Sequence, residues 1–219
     1  PRVFRVQFAG AVGTMAAIGE QGIAVQADLC KLLGLGMPVI CWHSARDTMA
    51  EEAFIMSAIT GTMGKIANEV FLLSKTETAE LEEPFPAGKV GSSTMPQKRN
   101  PAICESVVAI ARAARYCMTP AMEGLVAETE RDKVVLQAER EYVSRLHNLT
   151  HAAVVKIVAL TGGLQVKADN MRRNLDITGG LLLSEAVMMA LAPMIGRQEA
   201  HELIYQIAQR TAVEGGTLS

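Results

Sequence analysis

The chain has 219 residues, of which 49% are hydrophobic and 20% are charged, and its formal net charge at pH 7 is −2. Because the charge is nearly balanced, no strongly basic face favours binding to nucleic acid or to an anionic membrane surface. The four cysteines form no CxxC pair, so we expect reduced core residues rather than a disulfide framework or a zinc site.

No segment of the sequence resembles a membrane span or a secretory signal. The most apolar run, residues 181–195, is too short and is interrupted by Ser184 and Glu185. No basic segment followed by a small-residue cleavage site is present, so we expect a cytoplasmic protein. The chain begins at Pro1 without an initiator methionine, and we expect it to be part of a longer protein.

Composition and periodicity predict a helical protein. Aromatic residues make up only 4% of the chain, and apolar residues recur at helical spacing. Ser44 is the predicted N-cap of the longest helix, about 45 Å at ~1.5 Å per residue, and Thr119-Pro120 is predicted to end another helix. The predicted helices cover residues 12–33, 44–75, 101–118, 134–160, 168–174, 181–194 and 197–213.

Helix length changes along the chain and predicts two domains. Residues 1–163 carry the long helices that are typical of bundles. Residues 164–219 carry shorter helices and are predicted to form a small helical C-terminal domain. The fold class is therefore predicted to be all-α.

One loop, residues 88–101, concentrates groups that can bind and attack an acidic substrate. Its segment from Gly91 to Pro101 reads GSSTMPQKRNP and combines two serines with a lysine, an arginine and an asparagine. Such a loop can hold a carboxylate and present a serine to it. The alternative is an inert surface turn in front of a capped helix, because Gly, Ser and Pro are ordinary turn residues.

This loop resembles the signature loop of the fumarase/aspartase superfamily, whose pattern is GSSxMPxKxNP. The similarity continues through most of the chain and starts partway into the family's central domain, so the family's N-terminal region is absent from these residues. The closest resemblance is to bacterial 3-carboxy-cis,cis-muconate cycloisomerases, with features of adenylosuccinate lyases. The segments that resemble these families include GAVGT at 10–14, WHSARD at 42–47, ERD at 130–132 and MRRNLD at 171–176.

The resemblance implies a fold and an assembly. Members of the superfamily place long helices in a twenty-helix core of a homotetramer, and a small helical domain caps that core. Active sites are then shared between subunits. No metal and no organic cofactor is implied.

The resemblance also implies roles for residues in this sequence. Ser92 corresponds to the base that removes a proton beside a carboxylate, which needs activation of the hydroxyl by nearby donors. Lys98 and Asn100 correspond to residues that contact substrate carboxylates. The remaining substrate-binding residues by resemblance are Ser93, Thr94, Met95 and Arg131.

Arg131 has a simpler alternative, an ion pair on a helix surface with Glu128 or Asp132. Two positions depart from the adenylosuccinate lyase pattern, because Thr129 replaces a histidine and Leu136 replaces a serine that accompanies the phosphate-binding arginine, here Arg140. This chain also lacks the two tryptophans that the cycloisomerase pattern has in this stretch. We therefore predict a polycarboxylate cycloisomerase, with a C–N lyase that releases fumarate or a non-catalytic oligomerisation core as the alternatives.

The four histidines do not predict a metal site. They form no HExxH motif, and only His147 and His151 share a helix face at a spacing of four residues. Without a third ligand, a solvated or core-edge pair is the expected interpretation. The family's general-acid histidine lies in the upstream region, and we assign that role to none of these four.

Overall fold

The computed structural model describes residues 3–86, 88, 91–95, 97–214 and 216–217. The chain is predominantly helical, which confirms the predicted all-α class. Its residues fall into two compact units, one formed by Pro1–Phe71 with Glu83–Leu164 and the other by Leu72–Glu82 with Gln165–Ser219. The predicted domain boundary between residues 163 and 164 stays a prediction.

The first unit contains the long helices. A short 3₁₀ turn, Gly19–Gln21, leads into helix α1. The helices are α1 at Gly22–Leu33, α2 at Asp47–Leu73, α3 at Ala102–Tyr116, α4 at Met118–Glu123 and α5 at Lys133–Gly162. Of these, α2 continues for two residues beyond the end of the unit's first segment.

Small side chains allow the helices of the first unit to approach closely. The core cluster consists of Ala53, Ala114, Cys117, Ala121, Tyr142 and Leu146. At Gly64 of α2, an added Cβ would lie 2.7 Å from the Cβ of Ala111 on α3. The Ser57 hydroxyl on α2 donates to the carbonyl oxygen of Ala114 at 3.4 Å. The interface between α2 and α3 therefore depends on glycine, alanine and serine rather than on large apolar side chains.

The second unit has a short antiparallel strand pair and a helical hairpin. Strand β1, Leu81–Glu82, pairs with β2, Gln165–Val166. Helix α6 covers Ala168–Leu175, a 3₁₀ turn covers Leu181–Leu183, and α7, Ser184–Ile195, packs on α8, Arg197–Glu214. The Asn174 side-chain amide donates to the carbonyl oxygen of Thr78 at 2.8 Å and ties α6 to the segment before β1.

The N-terminal part of the first predicted helix is wrong. Helix α1 starts at Gly22 rather than at residue 12. Gly10, Gly13, Met15 and Gly19 have positive φ angles of 77°, 88°, 59° and 72°. A right-handed helix cannot contain these conformations, although the apolar spacing of the segment resembles one.

Two predicted helix ends are also wrong. Ser44 does not cap α2, which begins at Asp47; its hydroxyl instead donates to the carbonyl oxygen of Glu130 at 3.0 Å. Thr119-Pro120 does not end the helical path, because both residues lie in the first turn of α4. Proline is accepted there because the N–H it lacks would have no partner within the helix.

Three of the later helices are confirmed within two residues of their predicted ends, whereas α7 begins three residues after the predicted start at 181 because a 3₁₀ turn precedes it. α5, α6 and α8 correspond to the predicted spans 134–160, 168–174 and 197–213. The pair β1–β2 was not predicted, since two residues per strand leave no readable alternation in sequence. None of the helices in the described ranges combines the length and apolar character that a lipid bilayer requires.

Candidate active site

The signature loop, residues 88–101, presents Ser92 as a hydrogen-bond acceptor. The Ser92 hydroxyl oxygen accepts the backbone N–H of Met95 at 3.1 Å and that of Thr94 at 3.3 Å. Ser92 is half-buried, whereas Ser93, Thr94 and Met95 are exposed. Two amide dipoles directed at one oxygen favour its deprotonated form over the hydroxyl.

The two ends of the segment 91–100, which we call the neck of the loop, lie close together. The Asn100 side-chain amide donates to the carbonyl oxygen of Gly91 at 3.3 Å. A Cβ added at Gly91 would lie 2.2 Å from the carbonyl oxygen of Lys98, so only glycine fits this approach. The Lys98 side chain is exposed at the surface. Lys89, Val90 and Pro96 of the loop lie outside the described residues.

The helix behind the loop starts with all of its free amides occupied. The first bond of the helical pattern runs from the Glu105 N–H to the carbonyl of the N-cap Pro101 at 3.0 Å, so three earlier N–H groups lack partners within α3. Of these, Ala102 donates to the Asn100 carbonyl at 2.9 Å. The other two donate to the carboxylate of Glu83. A substrate anion bound by the loop must therefore use other donors than the start of α3.

Glu83 is a buried carboxylate. Its side chain is only 4% exposed, and its Oε2 accepts the N–H of Ile103 at 2.8 Å and of Cys104 at 3.1 Å. The positive end of the α3 dipole stabilises a negative charge at this position. The Cys104 thiol is also buried, and burial together with the adjacent Glu83 carboxylate raises the pKa of Cys104 to about 12.

The residues after Glu83 contact the loop and the end of α5. The Phe85 ring lies 5.0 Å from the Arg99 guanidinium carbon, which is a cation–π contact. A Cβ at Gly91 would be 3.3 Å from this ring. Pro84 packs so closely on Gly163 that a Cβ there would be 2.6 Å from the Pro84 Cβ. We call residues 83–85 the anchor segment.

Arg131 lies where three segments of the first unit meet. Its guanidinium donates to the carbonyl oxygen of Ala11 at 2.7 Å, in the segment that reads GAVGT. The Ser44 hydroxyl donates to the carbonyls of Glu130 at 3.0 Å and Thr129 at 3.3 Å. Thr129 has a φ of 62°, an unusual angle for a β-branched residue, and this kink turns the chain just before Arg131.

Asp132 fixes the residue next to Arg131. Its carboxylate accepts the N–H of Val134 at 2.8 Å and of Val135 at 3.4 Å, so it is the N-cap of α5. It also accepts the N–H of Glu128 at 3.0 Å. These bonds, that from Glu128 first, hold the pKa of Asp132 below its ordinary value of 3.8. The predicted alternative, an ion pair of Arg131 with Glu128 or Asp132, does not appear among the contacts of the described residues.

His43 faces the same region. A Cβ added at Gly13 would be 3.2 Å from its Nδ1 and 2.4 Å from the Cys41 sulfur. This Nδ1 is buried and has no hydrogen-bond partner in the part of the chain that the structure describes. Burial, followed by the positive charges of Arg131 and Arg46, lowers the pKa of His43 from 6.5, so the ring is neutral at pH 7.

Arg46 ties this region to α5. Its side chain is 6% exposed, pairs with the carboxylate of Glu139 and donates to the carbonyl oxygen of Trp42 at 2.7 Å. These contacts hold the turn that carries His43 against the long helix. A cleft of about 880 Å³, lined in part by Arg131, lies between α4 and the start of α5.

The predicted site residues thus form two groups. Ser92, Lys98 and Asn100 share the signature loop, with Ser93, Thr94 and Met95 between them. Arg131 belongs to the second group, and no hydrogen bond or ion pair joins it to Ser92, Lys98 or Asn100 among the described residues. The roles of all seven residues stay predictions.

Sequence reasoning missed two participants in this arrangement. Glu83 was unremarkable in sequence because its partners lie twenty residues further on. His43 was left without a role, and only its buried Nδ1 distinguishes it. His147 is accounted for structurally, since its Nδ1 is 2.8 Å from the Val143 carbonyl and its Nε2 is 3.1 Å from a Glu52 oxygen.

Comparison with known proteins agrees with these motifs. The profile of the family described as "Lyase" matches residues 2–115, and that of "Adenylosuccinate lyase C-terminus" matches residues 180–219. A 3-carboxy-cis,cis-muconate cycloisomerase of Pseudomonas aeruginosa is 43% identical over 98% of this chain and 46% of its own length. An N-acetyl-S-(2-succino)cysteine lyase of Dickeya dadantii is 40% identical over 90% of this chain and 43% of its own length.

The fold comparison points the same way. The crystal structure of a 3-carboxy-cis,cis-muconate lactonizing enzyme from Pseudomonas putida superposes with a TM-score of 0.89 at 37% identity, covering all of this chain and 49% of that one. The chain spans about half the length of the curated relatives it matches. On these grounds the chain belongs to the lyase family of the fumarase/aspartase superfamily.

Proposed function

We propose that this chain is part of an enzyme that adds or removes a proton beside a carboxylate of a polycarboxylate substrate. The best-supported activity is that of a 3-carboxy-cis,cis-muconate cycloisomerase, which interconverts the open tricarboxylate and its lactone. The similarity to cycloisomerases over almost the whole chain supports this choice. The proposal concerns the whole protein, of which these residues are about half the length of the relatives.

The observation that carries the proposal is the environment of the Ser92 oxygen. Two backbone N–H groups, from Thr94 and Met95, are directed at it within 3.3 Å. A free serine is too weak an acid to serve as a base near neutral pH, so a serine base needs such stabilisation of its alkoxide. Both donors belong to the same loop as Ser92.

The reaction follows from this geometry. In the direction that opens the lactone, the Ser92 oxygen takes the proton from the carbon beside a carboxylate. The electron pair moves into that carboxylate, and the carbon–oxygen bond of the lactone then breaks to give the second double bond. In the reverse direction a carboxylate oxygen adds to the double bond, and Ser92 returns the proton to the neighbouring carbon. No metal or organic cofactor is proposed for either direction.

Charged and amide groups are proposed to bind the carboxylates of the substrate. The exposed Lys98 ammonium and the Asn100 amide flank the loop neck, close to Ser92 in sequence and in the loop. Arg131 can bind a further carboxylate in bidentate fashion. Because Arg131 belongs to a separate group in this chain, we propose that one active site takes the loop from one subunit and Arg131 from another.

The proposal is tested with the full-length protein and 3-carboxymuconate, followed by loss of its ultraviolet absorbance. We expect Ser92→Ala to lower kcat by about 10²–10⁴-fold, the usual contribution of a general base. Ser144→Ala is the matched control, because Ser144 is an exposed serine on α5. Its kcat should equal that of the unmodified protein.

A Ser92→Ala protein with undiminished kcat would remove Ser92 as the base. A folded protein that turns over neither carboxymuconate nor a succinylated amine or thiol would favour the non-catalytic oligomerisation core instead. Mass measurement of the native protein accompanies both assays, since the shared-site proposal requires more than one subunit.

The second candidate is a lyase that releases fumarate from a succinylated amine or thiol. The Dickeya relative, named for a succinylated cysteine derivative, favours it, as does the match to the adenylosuccinate lyase C-terminus. It uses the same first step, proton removal by Ser92, followed by loss of nitrogen or sulfur. Fumarate formed from such a substrate, with no turnover of carboxymuconate, would select this candidate. Adenylosuccinate itself is disfavoured, because Thr129 and Leu136 replace the histidine and the serine of that lyase pattern.

We also propose a homotetramer located in the cytoplasm, without a nucleic-acid partner. Exposed apolar side chains on the long helices support the assembly. On α2 these are Phe54, Ile55, Ile59 and Ile66, and on α5 they are Val154, Val155 and Val158. Burying these apolar faces against another subunit would remove them from water and stabilise the helices.

A further inference from the structure

We infer that Glu83 is a positioning residue for the signature loop, because it fixes the helix from which the loop emerges. The inference rests on the proposed function of Ser92 and extends it to a buried residue that touches no substrate. Its evidence is the set of contacts that the anchor segment, residues 83–85, makes with both ends of the loop.

The C-terminal end of the loop is held through α3. Pro101 provides no side-chain cap for this helix, and the loop itself satisfies only one of its three free amides, that of Ala102. Glu83 satisfies the other two, at Ile103 and Cys104. A buried carboxylate that caps a helix from twenty residues away determines where that helix begins, and therefore where Asn100 and Lys98 lie.

The N-terminal end of the loop is held through Phe85. A Cβ added at Gly91, the residue before Ser92, would lie 3.3 Å from the Phe85 ring, and the guanidinium of Arg99 lies over the same ring at 5.0 Å. Phe85 thus touches the loop on both sides of its neck. Glu83 and Phe85 are separated by a single proline, so a shift of one moves the other.

The anchor segment is itself fixed from behind. Pro84 packs against Gly163, directly after the C-terminal residue of α5, at a distance that leaves no room for a Cβ. The end of α5 therefore contacts Pro84, and the adjacent Glu83 binds the start of α3. Among the described residues between the two ends, Ser92 is half-buried and Ser93, Thr94 and Met95 are exposed. This arrangement fixes the position of the loop through its two ends.

Two substitutions of Glu83 test its carboxylate as the cap of α3. Replacing it with glutamine keeps the size and one acceptor oxygen but removes the negative charge that the α3 dipole stabilises. Replacing it with alanine removes the cap and leaves two buried N–H groups unpaired. We expect the loop to be displaced slightly in the first variant and substantially in the second.

The test measures the loop directly by limited trypsin digestion of the full-length protein. Lys98 and Arg99 are exposed and lie in the loop, whereas Lys31, whose side chain is 79% exposed, lies at the end of α1 and serves as an internal reference. We expect Glu83→Ala to accelerate cleavage after Lys98 or Arg99 by about tenfold relative to Lys31, because local opening controls such cleavage. Glu83→Gln should show a smaller acceleration.

The same variants are compared by kinetics. Displacement of Ser92 should lower kcat by about tenfold or more, and displacement of Lys98 and Asn100 should raise KM as well. Gly163→Ala, which displaces Pro84 without touching the loop, should reproduce the effect on both measurements. Glu69→Gln, an exposed glutamate on α2, is the control and should alter neither.

Three results would overturn the inference. Cleavage in the loop of Glu83→Ala could remain unchanged relative to Lys31, or could rise only in parallel with it, which would indicate a general stabilising role. The third is a folded Glu83→Ala protein with the kcat of the unmodified enzyme. If the unmodified protein turns over neither substrate class, the proposed function fails, and the trypsin comparison still decides whether Glu83 holds the loop.

Discussion

The Ser92 oxygen accepts hydrogen bonds from residues two and three positions ahead of it in the same loop. The donors that we propose to activate Ser92 are therefore local to the loop. In the proposed reaction, closure of the loop would bring this oxygen to the reacting carbon and exclude water. The sequence analysis called for donors near the hydroxyl, and two of them come from the same loop.

At the scale of single residues, the capping carboxylate of Asp132 predicts how the stability of the fold depends on pH. Its pKa is lowered in the folded chain, so its ionised form stabilises the fold above its ordinary pKa of 3.8, and this stabilisation is lost as the pH falls through the lower folded value. We expect Asp132→Asn to lower the melting temperature at pH 7 by a few degrees. The difference between variant and unmodified protein should shrink at pH 3 and below.

Thermal unfolding followed by circular dichroism at pH 7 and pH 3 measures this difference. Asp28→Asn is the control, because Asp28 forms only an exposed pair with Lys31 at 3.3 Å and should matter little at either pH. A melting difference for Asp132→Asn that is equally large at both pH values would show that the cap acts without its charge.

The candidate site could be predicted from sequence only where its residues are neighbours in sequence. Ser92, Lys98 and Asn100 fall within nine residues, and a pattern match locates them together. The contact of Arg131 with the Ala11 carbonyl could not be predicted, because it depends on where the GAVGT segment and the WHSARD turn fold. Glu83 could not be predicted either, since capping across twenty residues depends on tertiary structure.

At the scale of elements, α2 and α3 can approach closely because Gly64 has no side chain. Its absent side chain lets the Ala111 methyl group fill the space between the helices. Gly61 lies one turn earlier on the same helix, and a Cβ there would approach nothing closer than a flexible Arg115 nitrogen at 4.0 Å. The two glycines therefore have different structural roles despite their equal cost to helix propensity.

We predict opposite effects of alanine at these two glycines. Gly64→Ala should destabilise the chain by about 1–3 kcal/mol, because the added methyl group forces the helices apart. Gly61→Ala should stabilise it by about 0.5–1 kcal/mol through improved helix propensity. Denaturant unfolding of both variants provides the comparison, and a Gly64→Ala protein as stable as Gly61→Ala would show that the contact can relax at little cost.

Helices were predicted best where their ends carry local signals. The start of α5 follows the capping residue Asp132, and its end precedes Gly163, so both are readable from sequence. The segment 12–21 failed because positive φ angles at Gly13 and Met15 overrule a helical spacing of apolar residues. Ser44 failed because its hydroxyl bonds to residues 129 and 130, which only the fold brings near.

At the scale of the whole molecule, the long helices leave apolar side chains in contact with water when the chain is considered alone. Phe54 of α2 is 58% exposed and Val158 of α5 is 63% exposed. Extended apolar faces of this kind indicate contact with other subunits. The proposed tetramer would cover them, and the proposed sharing of active sites requires such an assembly.

If the proposed tetramer covers Phe54, we expect Phe54→Lys to shift the native protein to smaller species, because a buried lysine at a subunit contact loses its solvation. Native mass spectrometry and light scattering measure the assembly. Asn68→Lys, which introduces the same residue at an exposed polar position of α2, is the matched control. An unchanged mass for Phe54→Lys would place Phe54 outside the contact between subunits.

The cysteines offer a practical consequence. Cys30, Cys104 and Cys117 are buried, and burial raises the pKa of both Cys104 and Cys117, so their thiols are poor nucleophiles near neutral pH. Cys41 is partly accessible and lies beside Gly13 and His43. A maleimide dye should therefore label Cys41 in preference to the three buried cysteines, without any engineered residue. The fluorescence of the dye would report binding of a ligand near Gly13 and His43.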